Sequence, residues 1–325
     1  MNRRDALLAL AALGVISTRV NAQPGPARLA FIGSGTAAGS TEFLAALRDG
    51  LRENGLAEGK DYVLDSFWSD GHYDRFPALL ESALARRPAI ILVATIASAR
   101  AAQQATRTIP IVMMGLNDPV GSGLIENLAR PGGNITGMAT MNDDRAAKLV
   151  EFLREVMPKA KRIAVLINPL NPSNRPIFQS LQRAAINAGM TAEAYEAAAP
   201  ERVDEAFIAL ARTRPDALVT GFDSMLGGER VKIISLGLAR KIPVFSTSNT
   251  YADAGALVTF GISTKQSIPK LSAAYVKKLL AGARPAELPV EQPTHFELTI
   301  NLKTAKVLGL KISPSFLHRA DRVIE

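Results

Sequence analysis

There is no cysteine in the chain. That excludes disulfides, thiolate-ligated zinc, iron–sulfur clusters and a thiol nucleophile. It also excludes a lipid anchor on a cysteine behind an export signal. Histidine is nearly as scarce: His72, His295 and His318 lie far apart, and none has the spacing of a metal ligand. No Gly-x-Ser-x-Gly elbow occurs, so the usual mark of a serine hydrolase is missing. Beyond the first residues no run of 18 apolar side chains occurs, and none of the later segments reads as a membrane span. Aromatic residues make up 6% of the chain, and its basic residues are scattered without a five-residue run. A net charge of +8 therefore reads as a solvated surface. A nucleic-acid face would concentrate the charge and offer stacking platforms.

What is present begins at the N-terminus. Arg3 and Arg4 precede an apolar run over residues 6–16, and Val20-Asn-Ala22 follows. Basic head, short apolar run and small-x-small ending are the three parts of a secretory signal. Cleavage near Ala22 would release a soluble periplasmic protein. The paired arginines also fit twin-arginine export, and the two routes stay open. The 303 residues that remain after Ala22 fit two domains of ordinary size.

Short apolar runs alternate with segments of helical period along the rest of the chain. Residues 29–32, 90–93, 111–114, 163–167, 217–219 and 256–260 read as strands buried on both faces. Phe43, Leu47 and Leu51 share one helical face, and Leu149, Leu153 and Val156 another. The alternation predicts an α/β fold of parallel sheets covered by helices. Three strings recur in order. Arg28-Leu-Ala-Phe-Ile matches Arg162-Ile-Ala-Val-Leu, Arg87-Pro88 matches Arg214-Pro215, and Ile109-Pro110 matches Ile242-Pro243, at offsets of 134, 127 and 133 residues. The near-constant offset predicts two doubly wound, Rossmann-like lobes of one design.

Ligands of open parallel sheets sit beyond the carboxyl ends of the strands. The repeat assigns six loops to that place. They are Gly33-Ser34-Gly35, Thr95 to Ser98, Asn117-Asp118, Asn168-Pro169, Gly221-Phe222-Asp223-Ser224 and Ser246 to Asn249. Hydroxyls and amides at helix starts beside Ser34, Thr95 and Ser98 would suit a carboxylate. Asp223 would pair an ammonium group, with Asn117, Asp118, Asn168 and Asn249 completing the site. These residue types also cap helices and close turns, and both readings stand for each. Trp68, the only tryptophan, ends a strand and suits either ligand stacking or core packing.

Gly33-Ser-Gly35-Thr-Ala-Ala-Gly39 is a loose form of a dinucleotide-binding loop. The acid that would hold the ribose should end the second strand. Asp65 lies inside that strand and Asp70 beyond it. An exported nicotinamide-dependent oxidoreductase therefore stays as an alternative with a poorly placed acid.

Asp118-Pro-Val-Gly-Ser-Gly-Leu followed by Leu128-Ala-Arg-Pro-Gly-Gly-Asn-Ile-Thr-Gly137 resembles the signature of ABC-transporter substrate-binding proteins of the tryptophan/tyrosine-transport type. Residues 51–59, Gly71-His-Tyr-Asp-Arg75 and residues 296–305 fit the same family. The resemblance implies a type I periplasmic-binding-protein fold, with its lobes joined by a three-segment hinge. Crossings are expected near 137–140, 260–263 and 286–293. The N-terminal lobe would comprise residues 28–137 and 261–285, and the C-terminal lobe residues 138–260 and 286–325. No catalysis and no cofactor are implied. The loop residues suggest an amino acid or related small carboxylate, and the resemblance leans toward an aromatic one. The implied partners are an inner-membrane ABC permease and its cytoplasmic ATPase; a monomer is expected, with no nucleic acid. A membrane sensor could read the same closed lobes. Thr259-Phe260-Gly261 stands where the family often has Ser-Tyr-Gly, which removes a phenol expected near the cleft.

Overall fold

The computed structural model describes residues 25–140, 142–221, 223–262 and 268–325. The signal segment 1–22, Phe222 of the fifth cleft loop and Ser263 of the second crossing lie outside them. The first sheet is parallel, ordered β2-β1-β3-β4-β5. Its strands are β1 (Ala27–Gly33), β2 (Tyr62–Trp68), β3 (Ile90–Val93), β4 (Ile111–Asn117) and β5 (Ile135–Thr140). The second sheet repeats that order with β6 (Arg162–Ile167), β7 (Thr191–Glu196), β8 (Ala217–Thr220), β9 (Val244–Ser246) and β10 (Val258–Ile262). The parallel run β7-β6-β8-β9-β10 is the first sheet written again. Two C-terminal strands extend it: β11 (Phe296–Asn301) runs antiparallel to β10, and β12 (Arg322–Ile324) runs parallel to β11.

Composition explains the inner strands. Every residue of β3 and β8 is buried, so each presents apolar side chains to helices on both faces. The repeat extends to the backbone. Arg87 and Arg214 both adopt left-handed conformations, with φ of 54° and 48°, just ahead of the matching prolines. The order reverses between β1 and β3 and again between β6 and β8. Each reversal opens a crevice at the carboxyl ends of the strands, where the loops predicted from the repeat lie.

The chain passes between lobes three times. It leaves the first sheet after Thr140 and enters helix Asn142–Val156, which packs on helix Asn174–Asn187 beside the second sheet. It returns after Ile262 into helix Ile268–Leu280, which packs on helix Thr41–Glu53 beside the first. It leaves finally between Glu291, bridged to Met138, and Phe296, paired with Ile262. These crossings correct the sequence-based boundaries. Residues 138–140 still pair within the first sheet and residues 261–262 within the second. Residues 286–291 belong with the first lobe rather than the second. Leu288 O accepts from Thr136 Oγ1 at 2.8 Å, and Val290 N donates to Leu128 O at 2.7 Å. The Tyr275 hydroxyl donates to Pro289 O at 2.8 Å and accepts from Glu291 N at 3.1 Å. The segment thus finds its hydrogen bonds on the first lobe.

The lobes also touch away from the hinge. Gly71, at φ +86°, faces lobe two so closely that a Cβ there would lie 2.6 Å from Pro200 Cδ and 2.9 Å from Met225 Cγ. One apolar cluster continues through this contact, from Tyr73 and Phe76 of the first lobe to Met225 and Leu226 of the second.

Candidate ligand-binding cleft

Between the lobes lies a cavity of about 800 Å³, within the range of small-molecule sites. The first lobe lines it with the ends of β1 and β4 and with Phe31, Phe43 and Trp68; the second with Asn171, Asp223 and Thr247. The three rings form one group. Phe31 and Phe43 centroids are 5.6 Å apart, and Trp68 meets Phe31 edge-on at 5.3 Å. Trp68 therefore packs in the core and lines the cleft at once.

Asp223 stands at the start of helix Ser224–Gly228 and is 7% exposed. Its Oδ1 accepts from Met225 N at 2.9 Å, from Leu226 N at 3.1 Å and, at 3.4 Å, from Asn168 Nδ2. Its Oδ2 accepts from Asn171 Nδ2 and from the Tyr73 hydroxyl, each at 2.8 Å. Burial raises this carboxyl above its ordinary value, while the bonds from Asn171, Tyr73, Leu226 and Asn168 pull the other way. Burial, together with the Asp223 charge, likewise raises the Tyr73 phenol well above its usual value. Tyr73 belongs to lobe one and Asp223 to lobe two, so this is a hydrogen bond between lobes. Asp223 caps a helix and closes the cleft edge. It has no lone pair left for the ammonium assigned to it from the sequence.

Other predicted residues divide similarly. Thr95 and Ser98 satisfy each other in a capping box: Thr95 Oγ1 accepts from Ser98 N at 3.1 Å, and Ser98 Oγ from Thr95 N at 3.2 Å. Thr95 still lines the cleft; Ser98 does not. Asn168 also stands behind the wall, where its Oδ1 accepts from Leu170 N at 3.0 Å and its amide supports Asp223. Asp118 closes a turn away from the cavity, accepting from Gly121 N at 2.8 Å. Asn249 reaches the wall, but its amide fixes the second crossing, donating to Ile262 O and accepting from Thr259 Oγ1, both at 2.9 Å. Asn117 lines the cavity at the end of β4, beside the first crossing. Ser34 lines it too. The Ser34 hydroxyl is buried beside the Tyr73 phenol and makes no hydrogen bond of ordinary geometry among the described residues. For a dinucleotide, neither candidate acid lines the cavity. Asp65 pairs with Arg28 at 2.7 Å and Arg86 at 2.8 Å, and Asp70 pairs with Arg75 at 3.2 Å.

Sequence reasoning missed Arg145. It lines the cleft from the first turn of helix Asn142–Val156 and is 6% exposed. Nη1 donates to Thr247 O at 3.3 Å, and the guanidinium lies 5.4 Å from the Phe296 ring centroid. Burial pushes its pKa down to about 10. Its signal was its position four residues before Leu149, on the buried stripe of the helix. Asn171 and Ser173 also line the wall without having been singled out. Phe260, at the departure from the family pattern, faces a smaller cavity of about 390 Å³ behind the crossings, shared with Phe296 and the far side of Arg145.

A tyrosine-binding protein of Clostridioides difficile (strain R20291) is 25% identical over 269 residues, which span 83% of this chain and 76% of that one. A conserved domain protein of Vibrio cholerae superposes with a TM-score of 0.85 at 27% identity, covering 91% of this chain and 99% of that one. The ABC domain from Streptococcus pneumonia in complex with L-Trp superposes at 0.84 with 22% identity, over 92% and 100% of the two chains. The family profile "ABC transporter substrate binding protein" matches residues 38–324. With two repeated parallel sheets, three crossings and one cleft between them, the chain belongs to the ABC transporter substrate-binding protein family and has the type I periplasmic-binding-protein fold.

Proposed function

We propose that the chain captures a small organic carboxylate of amino-acid size, with an aromatic or other apolar body, by closing its two lobes around it. Capture takes place in the periplasm, after removal of the segment ending near Ala22. The closed form is then delivered to an inner-membrane ABC permease driven by a cytoplasmic ATPase. The residue that carries this reading is Arg145. A guanidinium buried in a cleft wall loses much of its hydration, and a carboxylate set against it offsets that loss through charge-assisted, bidentate hydrogen bonds. Phe31, Phe43 and Trp68 offer rings in the same cavity to an apolar body. Arg145 starts a lobe-two helix and the rings belong to lobe one. A ligand that touches both favours the closed state by its differential affinity.

The test is a thermal-shift screen on protein stripped of bound ligand by unfolding and refolding. A carboxylate present at 100 times its dissociation constant should stabilise the fold by about 2.7 kcal/mol. Arg145→Gln should abolish the shift while leaving a folded protein. If no organic carboxylate shifts the melt, or if Arg145→Gln binds as the wild type does, the reading is wrong.

A further inference from the structure

Among the described residues the cleft is lined by three acids: Glu42, Asp223 and Asp253. Glu42 and Asp253 are exposed, and Asp253 pairs with Arg322. Asp223 is the buried one, and five donors converge on it: Met225 N, Leu226 N, Asn168 Nδ2, Asn171 Nδ2 and the Tyr73 hydroxyl. A carboxylate offers about four lone-pair directions, so this one is saturated. To receive an ammonium group it would have to release Asn171 or Tyr73, and Tyr73 is the contact that joins the lobes. A ligand ammonium would therefore lose water on closure and meet no buried carboxylate with a lone pair to spare, Glu42 standing exposed to solvent, in a cleft that already holds the Arg145 cation.

We infer that the cleft takes an aromatic or apolar monocarboxylate without an α-ammonium group, an organic acid rather than an amino acid. This rests on the carboxylate reading of Arg145 and narrows it. It also assigns a second role to the hydrogen bond between Tyr73 and Asp223. By occupying the acid, the bond excludes zwitterions as well as joining the lobes.

The experiment compares pairs that differ only in the ammonium: 3-phenylpropionate against L-phenylalanine, and indole-3-propionate against L-tryptophan. Affinities are measured by calorimetry on the ligand-stripped protein, on Arg145→Gln and on Tyr73→Phe. The desamino acid of at least one pair should bind ten times or more tighter than its amino acid. Arg145→Gln should lose it. Tyr73→Phe, which frees one lone pair on Asp223, should narrow the ratio within the pair even if it weakens both members. An amino acid that binds as tightly as its desamino partner, or tighter, overturns the inference. If that binding is lost in Arg145→Gln, the carboxylate reading survives. If neither member of either pair binds, this inference fails while the carboxylate reading still rests on the wider screen; if Arg145→Gln changes nothing, the carboxylate reading fails and this inference falls with it. A ratio unchanged in Tyr73→Phe would also count against it, because the saturation of Asp223 would not be what sets the preference.

Discussion

Replacing Tyr73 with phenylalanine isolates the hydrogen bond that spans the lobes. The ring stays, and with it the contact to Phe76 at a centroid distance of 5.0 Å. Only the hydroxyl is lost, and with it a 2.8 Å bond to Asp223 Oδ2. A hydrogen bond to a charged group contributes about 1.5–3 kcal/mol. At about 1.4 kcal/mol per factor of ten, closure should become roughly 10- to 100-fold less favourable. Four donors remain on the carboxylate, so collapse of the second lobe is not expected. Where that loss shows depends on the resting state. If the free protein rests open, the whole loss enters the dissociation constant of a carboxylate found in the thermal-shift screen. If it rests closed, small-angle scattering of the free variant gives a larger radius of gyration than wild type. Urea unfolding checks that both proteins are folded. Superposable scattering curves together with an unchanged dissociation constant would refute the argument. The bond would then be incidental to closure.

Other outcomes follow from the same geometry. A Cβ on Gly33 would lie 2.4 Å from Trp68 Cζ3 and 2.8 Å from Phe31 Cε1. Gly33→Ala should therefore cost about 1–3 kcal/mol by overpacking, and Trp68→Leu in the same chain should recover most of it; strictly additive losses in urea would contradict the clash. Asp223 titrates above its ordinary value because it is buried. Such a carboxyl contributes stability that is full below the unfolded value, about 4, and is lost as pH rises through the folded one. Asparagine also caps helices well, so the stability of wild type relative to Asp223→Asn should fall between pH 4 and neutrality; a flat or rising difference counts against the assignment. Arg145→Met removes the hydrogen bond to Thr247 O together with the cost of burying a cation, so any loss of ligand-free stability should stay below about 3 kcal/mol. A loss beyond about 3 kcal/mol, the size expected on breaking a buried pair, would show that Arg145 holds the lobe together.

Much of the architecture was legible because it is encoded twice. Matched strings at near-constant offset marked β1 with β6, β3 with β8 and β4 with β9, and the sheet orders repeat accordingly. Two of the strands that escaped notice, β7 and β12, are edge strands. β7 buries only Ala192 and Tyr195 and β12 is largely exposed, so neither forms an apolar run. The site was harder for three physical reasons. Thr95 and Ser98 are the residue types that either cap a helix or bind an anion, and only coordinates show that they bond each other. Tyr73 and Asp223 meet across 150 positions of sequence, which no local pattern can reveal. Arg145 occupies a helical stripe otherwise made of Leu149, Phe152 and Val156, where a cation is easily read as the end of the stripe.

The return of helix Ile268–Leu280 to the first lobe has a consequence for the order of assembly. Leu44, Leu47 and Leu51 share one apolar cluster with Ile268, Tyr275 and Val276. The two helices approach so closely that a Cβ on Gly50 would lie 2.7 Å from Lys270 O. A chain made from the N-terminus has synthesised every strand of the first sheet by Thr140. Helix Thr41–Glu53 covers part of this side of that sheet, and the rest cannot be covered until more than a hundred further residues have followed. The lobe that begins first is thus completed after most of the second has been synthesised. Through that interval part of its apolar flank stays wet, and the nascent chain depends on whatever shields it.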